Sequence, residues 1–331
     1  MDWSSILTNA LRSGIGLETV IYALAAIGLN VHFGYTGLLN FGQAAFLAVG
    51  AYGLSVSIAS FGLPFWVGLL VGMASAVVLA ILLGIPTLRL RADYLAIVTI
   101  AAAEIVRLVV RSASLRDVTG GSNGLSGFAE GFYDLSPLDP RGSYGIGELR
   151  FSGREAWVLI VGWILIVLAS LVVWLLMSSP WGRVIKGIRE DEDAVRSLGK
   201  NVYAYKLQAL VIGGVLGSLG GFIFSLGRAA VQPENYGTEL TFFVYTVLLL
   251  GGAARVFGPV VGAAIFWVVL SLTDNVLRGM IGTGVIPESV MDSNQVGAVR
   301  FILVGVALML LMIYRPQGIF GDRRELALDG R

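Results

Sequence analysis

Glu104 and Arg107 stand three residues apart inside an otherwise apolar stretch. On a helix that spacing puts both side chains on one face, where they can pair. At about 1.5 Å per residue, Glu104 lies on the order of 15 Å from Tyr94, near mid-bilayer if the stretch crosses a membrane. A charge there costs roughly 2.5–3.5 kcal/mol on insertion scales. Two readings follow: a polar lining for a substrate path or gate, or a pair that fixes packing against a neighbouring helix. Arg111, four residues on, can snorkel outward. Asn30, His32, Asn40 and Gln43 cluster where two apolar stretches meet; they either satisfy backbone at a bend or touch substrate. Thr119-Gly120-Gly121-Ser122-Asn123-Gly124 is either a flexible turn or a backbone concavity for an anion.

The densest charge lies in WGRVIKGIREDEDAVRSLGKNVYAYK, residues 181–206. Its two halves have helical propensity, and Gly199 stops the second. Such a segment is either a solvated connector or a docking element for a soluble partner. The chemistry that is missing narrows the function. There is no cysteine and a single histidine, His32, so thiolate chemistry, a His-based metal site and a catalytic triad are disfavoured. No GxxxxGK[ST] phosphate loop occurs, and one histidine cannot support several catalytic roles. We expect a non-catalytic chain without a cofactor.

Elements able to hold these residues are set by composition. The chain has 331 residues, 56% hydrophobic and 14% charged, with mean hydropathy +0.80. Soluble domains are nearer a quarter charged, so an all-α polytopic membrane protein is expected. The net charge of +1 gives no footprint for nucleic acid. With about 20 apolar residues per crossing, spans fall near 15–33, 38–60, 64–86, 94–112, 155–178, 207–227, 239–251, 259–272 and 300–314, about nine (8–10) in all. Residues 1–16 read as a short interfacial segment without a cleavable leader. The loop 273–299 reads as mixed and half-buried. GxxxG spacings at Gly213, Gly217 and Gly221, at Gly68 and Gly72, and at Gly258 and Gly262 suit close helix packing.

The Lys and Arg bias places the 180–206 loop in the cytoplasm, with Arg89, Arg91, Arg255, Arg315, Arg323 and Arg324 on the same side. Arg116, Arg141, Arg150, Arg154 and Arg278 fall opposite. The chain then reads as one transmembrane domain, 1–331, with an extracytoplasmic loop at 113–154, a cytoplasmic segment at 179–206 and a cytoplasmic tail at 315–331.

GYTGLLNFGQAAFLAVGAY (34–52), LRLRADYLAIVTIAAAEIVRLV (88–109), TGGSNGLSG (119–127), WGRVIKGIREDEDAVRSLG (181–199), YKLQALVIGGVLGSLGGFIFS (205–225) and RPQGIFG (315–321) occur in order through most of the chain. Together they resemble the branched-chain amino acid ABC importer permeases of the LivM type. The resemblance implies a homologous second permease subunit, two cytoplasmic ATP-binding subunits, an extracytoplasmic binding protein and a bacterial plasma membrane. It implies that 179–206 is an ATPase-coupling segment involving Arg183, Lys186, Arg189, Glu190, Asp191, Glu192, Asp193, Ala194 and Gly199. Asp193-Ala194-Val195 with Gly199 fits the family's E-A-A-x-x-x-G spacing, with Asp for Glu and Val for the second Ala. The extracytoplasmic loop residues singled out are Gly120, Gly121, Ser122 and Asn123; Glu104, Arg107, Asn40 and Gln43 are the pathway candidates. Branched-chain amino acids are the first expected substrate. Urea or short-chain amides are the alternative, and a self-sufficient secondary transporter is the more distant one.

Overall fold

The computed structural model describes residues 3–88, 92–283, 292, 295–315 and 317–321. Its helices are α1 (Trp3–Ile15), α2 (Leu17–Leu29), α3 (Gln43–Ala59), α4 (Phe65–Thr87), α5 (Ala92–Arg111), α6 (Arg116–Thr119), α7 (Glu130–Tyr133), α8 (Gly153–Ser178), α9 (Pro180–Glu190), α10 (Glu192–Ser197), α11 (Val202–Arg228), α12 (Thr238–Gly251), α13 (Gly258–Gly282) and α14 (Val296–Tyr314). Two small antiparallel pairs complete the fold. β1 (Leu125–Ser126) joins β4 (Ala230–Val231), and β2 (Ser143–Ile146) joins β3 (Leu149–Ser152).

α2 is the axis of the molecule. Every side chain from Val20 to Leu29 is buried, and α8, α11, α12 and α13 pack around it. A helix apolar on all sides has to be enclosed in this way or face lipid. α11 lies between α2 and α3, and its glycine ladder permits the approach. A Cβ on Gly213 would run into His32 and the Gly28 carbonyl, one on Gly217 into the Gln43 amide, and one on Gly221 into the Leu47 carbonyl. Toward the outside, α4, α8 and α14 expose large apolar side chains, among them Trp66, Leu70, Val167, Trp174, Ile302 and Met309. A water-soluble monomer rarely exposes contiguous apolar patches on this scale, whereas lipid requires it.

Several boundaries differ from the sequence expectation. Trp3–Ile15 forms an amphipathic helix, α1, whose Ile6, Ala10 and Gly14 are buried, and it packs along α13. A bend at Gly16 separates α1 from α2 within the 33-residue stretch Trp3–Tyr35, which contains a window apolar enough to cross a membrane. The second span begins at Gln43, not 38, because residues 36–42 leave the helix. Pro86 sits inside the last turn of α4, where little of the helix remains to be disrupted. α13 continues ten residues past Leu272, into the expected loop, to Gly282. The Arg278–Asp274 pair at 2.9 Å and the Asn275 amide on the Ser271 carbonyl at 2.7 Å support its polar end.

Among the described residues, five helical stretches are long and apolar enough to cross a membrane on those grounds alone: Trp3–Tyr35, α4, α8, α11 and α13. Two apolar helices, α3 and α12, are shorter. α5 carries the charges that matter most below.

Polar segments gather in two groups. Gly34, α9, Arg255 and the backbone of 318–320 meet at one end: Arg189 reaches Gly34 O, and Ile319 N donates to Leu250 O at 3.0 Å. α1, residues 113–154 and the start of α8 meet at the other, through Arg12–Glu155 at 3.3 Å and Ser60 on Val118 O at 2.6 Å. Arg89, Arg91, Arg323 and Arg324 lie outside the described residues.

Candidate functional site

α5 carries Glu104 and Arg107 on one face, as the spacing requires. Arg107 Nε donates to Glu104 Oε2 at 3.0 Å. The structure adds a partner that local sequence could not reveal. Arg107 Nη1 donates to Glu234 Oε2 at 2.8 Å, and Arg111 Nη1 lies 3.1 Å from Glu234 Oε1. Glu234 stands on a short 3₁₀ turn, Pro233–Tyr236, between α11 and α12. It is 127 residues away in sequence from Arg107.

The cluster lines a cleft of about 550 Å³ with Tyr22, Asn235, Glu239 and Phe243. The Arg107 side chain is 15% exposed, that of Glu104 39% and that of Glu234 58%. Glu104 therefore opens to a polar cleft rather than sitting sealed at mid-bilayer. Pairs this open contribute about 0–1 kcal/mol to stability, so they can break and re-form. At the base of the turn, burial and then the neighbouring Tyr52 push the Tyr236 phenol up, keeping it neutral. Chemically, the cleft offers carboxylates and guanidinium groups side by side, complementary to both ends of a zwitterion.

Asn40 and Gln43, the other two pathway candidates, are not in this cleft. Both are fully buried, with His32. His32 Nε2 is 3.0 Å from Leu210 O, which accepts only, so the ring carries its proton there. Its Nδ1 accepts from Asn40 Nδ2 at 2.9 Å, and the same amide donates to Gln43 Oε1 at 3.1 Å. Gln43 Nε2 in turn donates to Ala25 O at 3.1 Å, and Asn40 Oδ1 accepts from Gly42 N at 2.9 Å. Tyr245 donates to Asn40 O, Thr99 accepts from Phe41 N, and Thr241 accepts from Ala44 N. The network meets the backbone demand of the non-helical 36–42 segment, which cannot be left unsatisfied inside a bilayer.

Gly120, Gly121, Ser122 and Asn123 form a tight turn beside β1. Gly120 and Gly121 take φ of +78° and +58°, and a Cβ on Gly120 would strike the Gly124 carbonyl. Ser122 and Asn123 are exposed. β1 then clasps β4 on the connection out of α11, so the turn ties the loop after α5 to the loop that carries Glu234.

The segment after α8 is two helices joined through the extended Asp191, with Val195 of α10 set against Gly187 of α9. Ser179 caps α9, with Pro180 in its first turn; Asp191 caps α10, its Oδ1 accepting from Ala194 N at 2.9 Å. α9 buries Gly182, Ile185 and Ile188, and Arg189 Nη1 donates to Gly34 O at 2.6 Å. Lys186 lies 5.9 Å from the centre of the Tyr35 ring. Glu192 binds Lys206 at the foot of α11 and Arg196 at 2.9 Å, and Arg196 also holds Asp193 at 2.7 Å. Arg189, Asp191, Glu192 and Arg196 have partners in their own chain. Arg183, Glu190, Ala194 and Gly199 are exposed. So is Leu198, at 79%, an outward apolar residue that charge reading passed over although it stands directly before Gly199.

These features define a polytopic α-helical membrane protein, apolar around its perimeter, with a charged cleft beside α5 and an anchored pair of polar helices at an end. Residues 12–314 match the model of the branched-chain amino acid transport system permease component family, and the chain belongs to that family. It is 33% identical over 315 residues to the high-affinity branched-chain amino acid transport system permease protein LivM of Salmonella typhimurium, covering 92% of this chain and 69% of that relative. The Escherichia coli K12 LivM gives 33% over 314 residues, with the same coverage. A probable LivM of Methanocaldococcus jannaschii gives 26% over 341 residues, 92% of this chain and 91% of the relative. A partial match, 28% over 123 residues and 35% of the chain, is to the autoinducer 2 import system permease protein LsrC of Photorhabdus laumondii.

Proposed function

We propose that this chain is the membrane-spanning, non-catalytic subunit of an ATP-driven ABC importer in a bacterial plasma membrane. It crosses the bilayer about nine times, α3, α5, α12 and α14 adding to the five long apolar stretches. Branched-chain amino acids reach it from an extracytoplasmic binding protein, and a homologous second permease subunit completes the path. Residues 113–154 lie outside, and 179–206 and the tail from 315 lie in the cytoplasm. Two cytoplasmic ATP-binding subunits drive it through α9 and α10.

The observation that carries this reading is the attachment of α9 and α10. Each has a capped start, and together they are tied to three places in the membrane domain: Gly34 through Arg189, Lys206 through Glu192, and α8 directly through the Ser179 cap. A force applied to their exposed residues therefore reaches α2, α8 and α11 without passing through a flexible linker. Arg183, Glu190, Asp193, Ala194 and Leu198 form the outward contact set. At the other end, the Arg107–Glu234 contact acts as a latch between α5 and the turn before α12. It opens when substrate charges compete for it.

Tagged chain is expected to co-purify with its ATP-binding subunits, and Leu198→Asp with Arg183→Glu is expected to lose them at unchanged chain levels. Undiminished recovery with that variant would remove α9 and α10 from the coupling role.

A further inference from the structure

One face of α5 is uncovered: Tyr94, Ile97, Ile105, Leu108 and Val109 are exposed along it. On its inner side, the non-helical segment 36–42 holds it. Thr99 is fully buried and uses its hydroxyl twice. The oxygen accepts from Phe41 N at 3.0 Å, and the proton goes to Ala96 O at 2.9 Å. Beside this bond, Gly42 lies on the Thr99 carbonyl so closely that a Cβ there would collide with it. Leu38 shares an apolar cluster with Leu95, one turn earlier on α5.

The same segment is gripped from the other side by α9. Arg189 donates to Gly34 O at 2.6 Å, at the end of a single turn of π-helix, Asn30–Tyr35. The Arg189 stem also lies against Gly37, which takes φ of +74°. Between these attachments and α5 the backbone is cross-braced. Thr36 donates to Val31 O at 2.7 Å, Leu38 N to His32 O at 2.8 Å, and the Asn40 side chain ties to His32 and Gln43. A buried bend braced in this way moves as one piece, because any N–H that let go would be left unpaired. Close-packed interiors transmit displacement rather than absorb it.

We propose that Thr99 is the positioning residue through which movement of α9 reaches the Arg107–Glu234 latch. Displacement of Arg189 shifts the 34–42 bend, and the Phe41–Thr99 hydrogen bond makes α5 follow. Glu104 and Arg107 lie five and eight residues further along the helix, about 7.5 and 12 Å from Thr99. A shift at Thr99 therefore decides whether Arg107 meets Glu234. This assignment rests on the transport reading and gives it a contiguous physical path from the cytoplasmic helices to the cleft.

The test measures leucine uptake and ATP hydrolysis together, in proteoliposomes holding the assembled importer with leucine-loaded binding protein. Thr99→Val keeps the shape of the side chain and removes the hydroxyl; Thr99→Ser keeps the hydroxyl. Thr99→Val is expected to hydrolyse ATP at close to the wild-type rate while leucine taken up per ATP falls about tenfold, the scale of one buried N–H losing its acceptor. Thr99→Ser is expected to recover most of that loss. Wild-type uptake per ATP in Thr99→Val, hydrolysis and uptake falling in proportion, or Thr99→Ser no better than Thr99→Val would each overturn the proposal. Should Thr99→Val fail to fold, spin labels on Leu108→Cys and Phe242→Cys decide it, in a chain with no other cysteine. Their separation is expected to change when the importer is trapped with ATP, and an unchanged separation would overturn the proposal. Wild-type uptake that needs no ATP would remove the transport reading and this assignment with it, whereas ATP-dependent uptake that Thr99→Val leaves intact removes this assignment alone.

Discussion

Two polar clusters lie within the helical body, and they are built on opposite principles. The His32, Asn40 and Gln43 network is uncharged, wholly buried and hydrogen-bonded largely to backbone. The Glu104, Arg107 and Glu234 cluster is charged, half open and paired side chain to side chain. The first replaces the hydrogen bonds that residues 36–42 forgo by leaving the helix, so its contribution is to the fold. The second leaves charges where water or a ligand can reach them. A permease needs both kinds, a fixed break in a helix and a contact that can exchange.

The sharpest way to break the comparison is to remove the centre of the buried network. Asn40→Leu leaves Gly42 N–H and His32 Nδ1 unpaired, each at about 1–3 kcal/mol. The expected loss is about 3 kcal/mol, read as a large drop in melting temperature and in folded yield. A variant of wild-type stability would show that the network does not hold the bend.

The open cluster should respond the other way. Arg107→Gln or Glu234→Gln is expected to change stability by less than about 1 kcal/mol. Uptake by the assembled importer should nevertheless fall by about tenfold, the effect of about 1.4 kcal/mol at a gating step. Exchanging the pair, Arg107→Glu with Glu234→Arg, should recover part of that loss. Full uptake in both single variants at normal protein levels would reduce the cluster to packing.

The sequence carried the apolar helices well, because a run of about 20 apolar residues has few alternatives in a chain this hydrophobic. Phe65–Thr87 and Gly153–Ser178 fall within two residues of the expected spans. α13 was legible only to Leu272, since Thr273, Asp274 and Asn275 end the apolar run while local hydrogen bonds continue the helix. The Glu104–Arg107 pair was visible as an i, i+3 spacing, but Glu234 was not, because its approach is set by the tertiary path of the loop between α11 and α12. The partners that hold α9 in place were hidden for the same reason. Charge density marks a polar segment, yet Gly34, which engages Arg189, is 155 residues away in sequence. Leu198, the exposed apolar residue at the end of α10, has no periodic signature.

The most direct test of the account is leucine uptake into proteoliposomes that hold this chain with its partner permease and ATP-binding subunits, supplied with leucine-loaded binding protein outside. The account predicts accumulation that requires ATP at the ATP-binding subunits and disappears with Leu198→Asp and Arg183→Glu. Accumulation by the chain alone, driven by an ion gradient and indifferent to ATP, would contradict it.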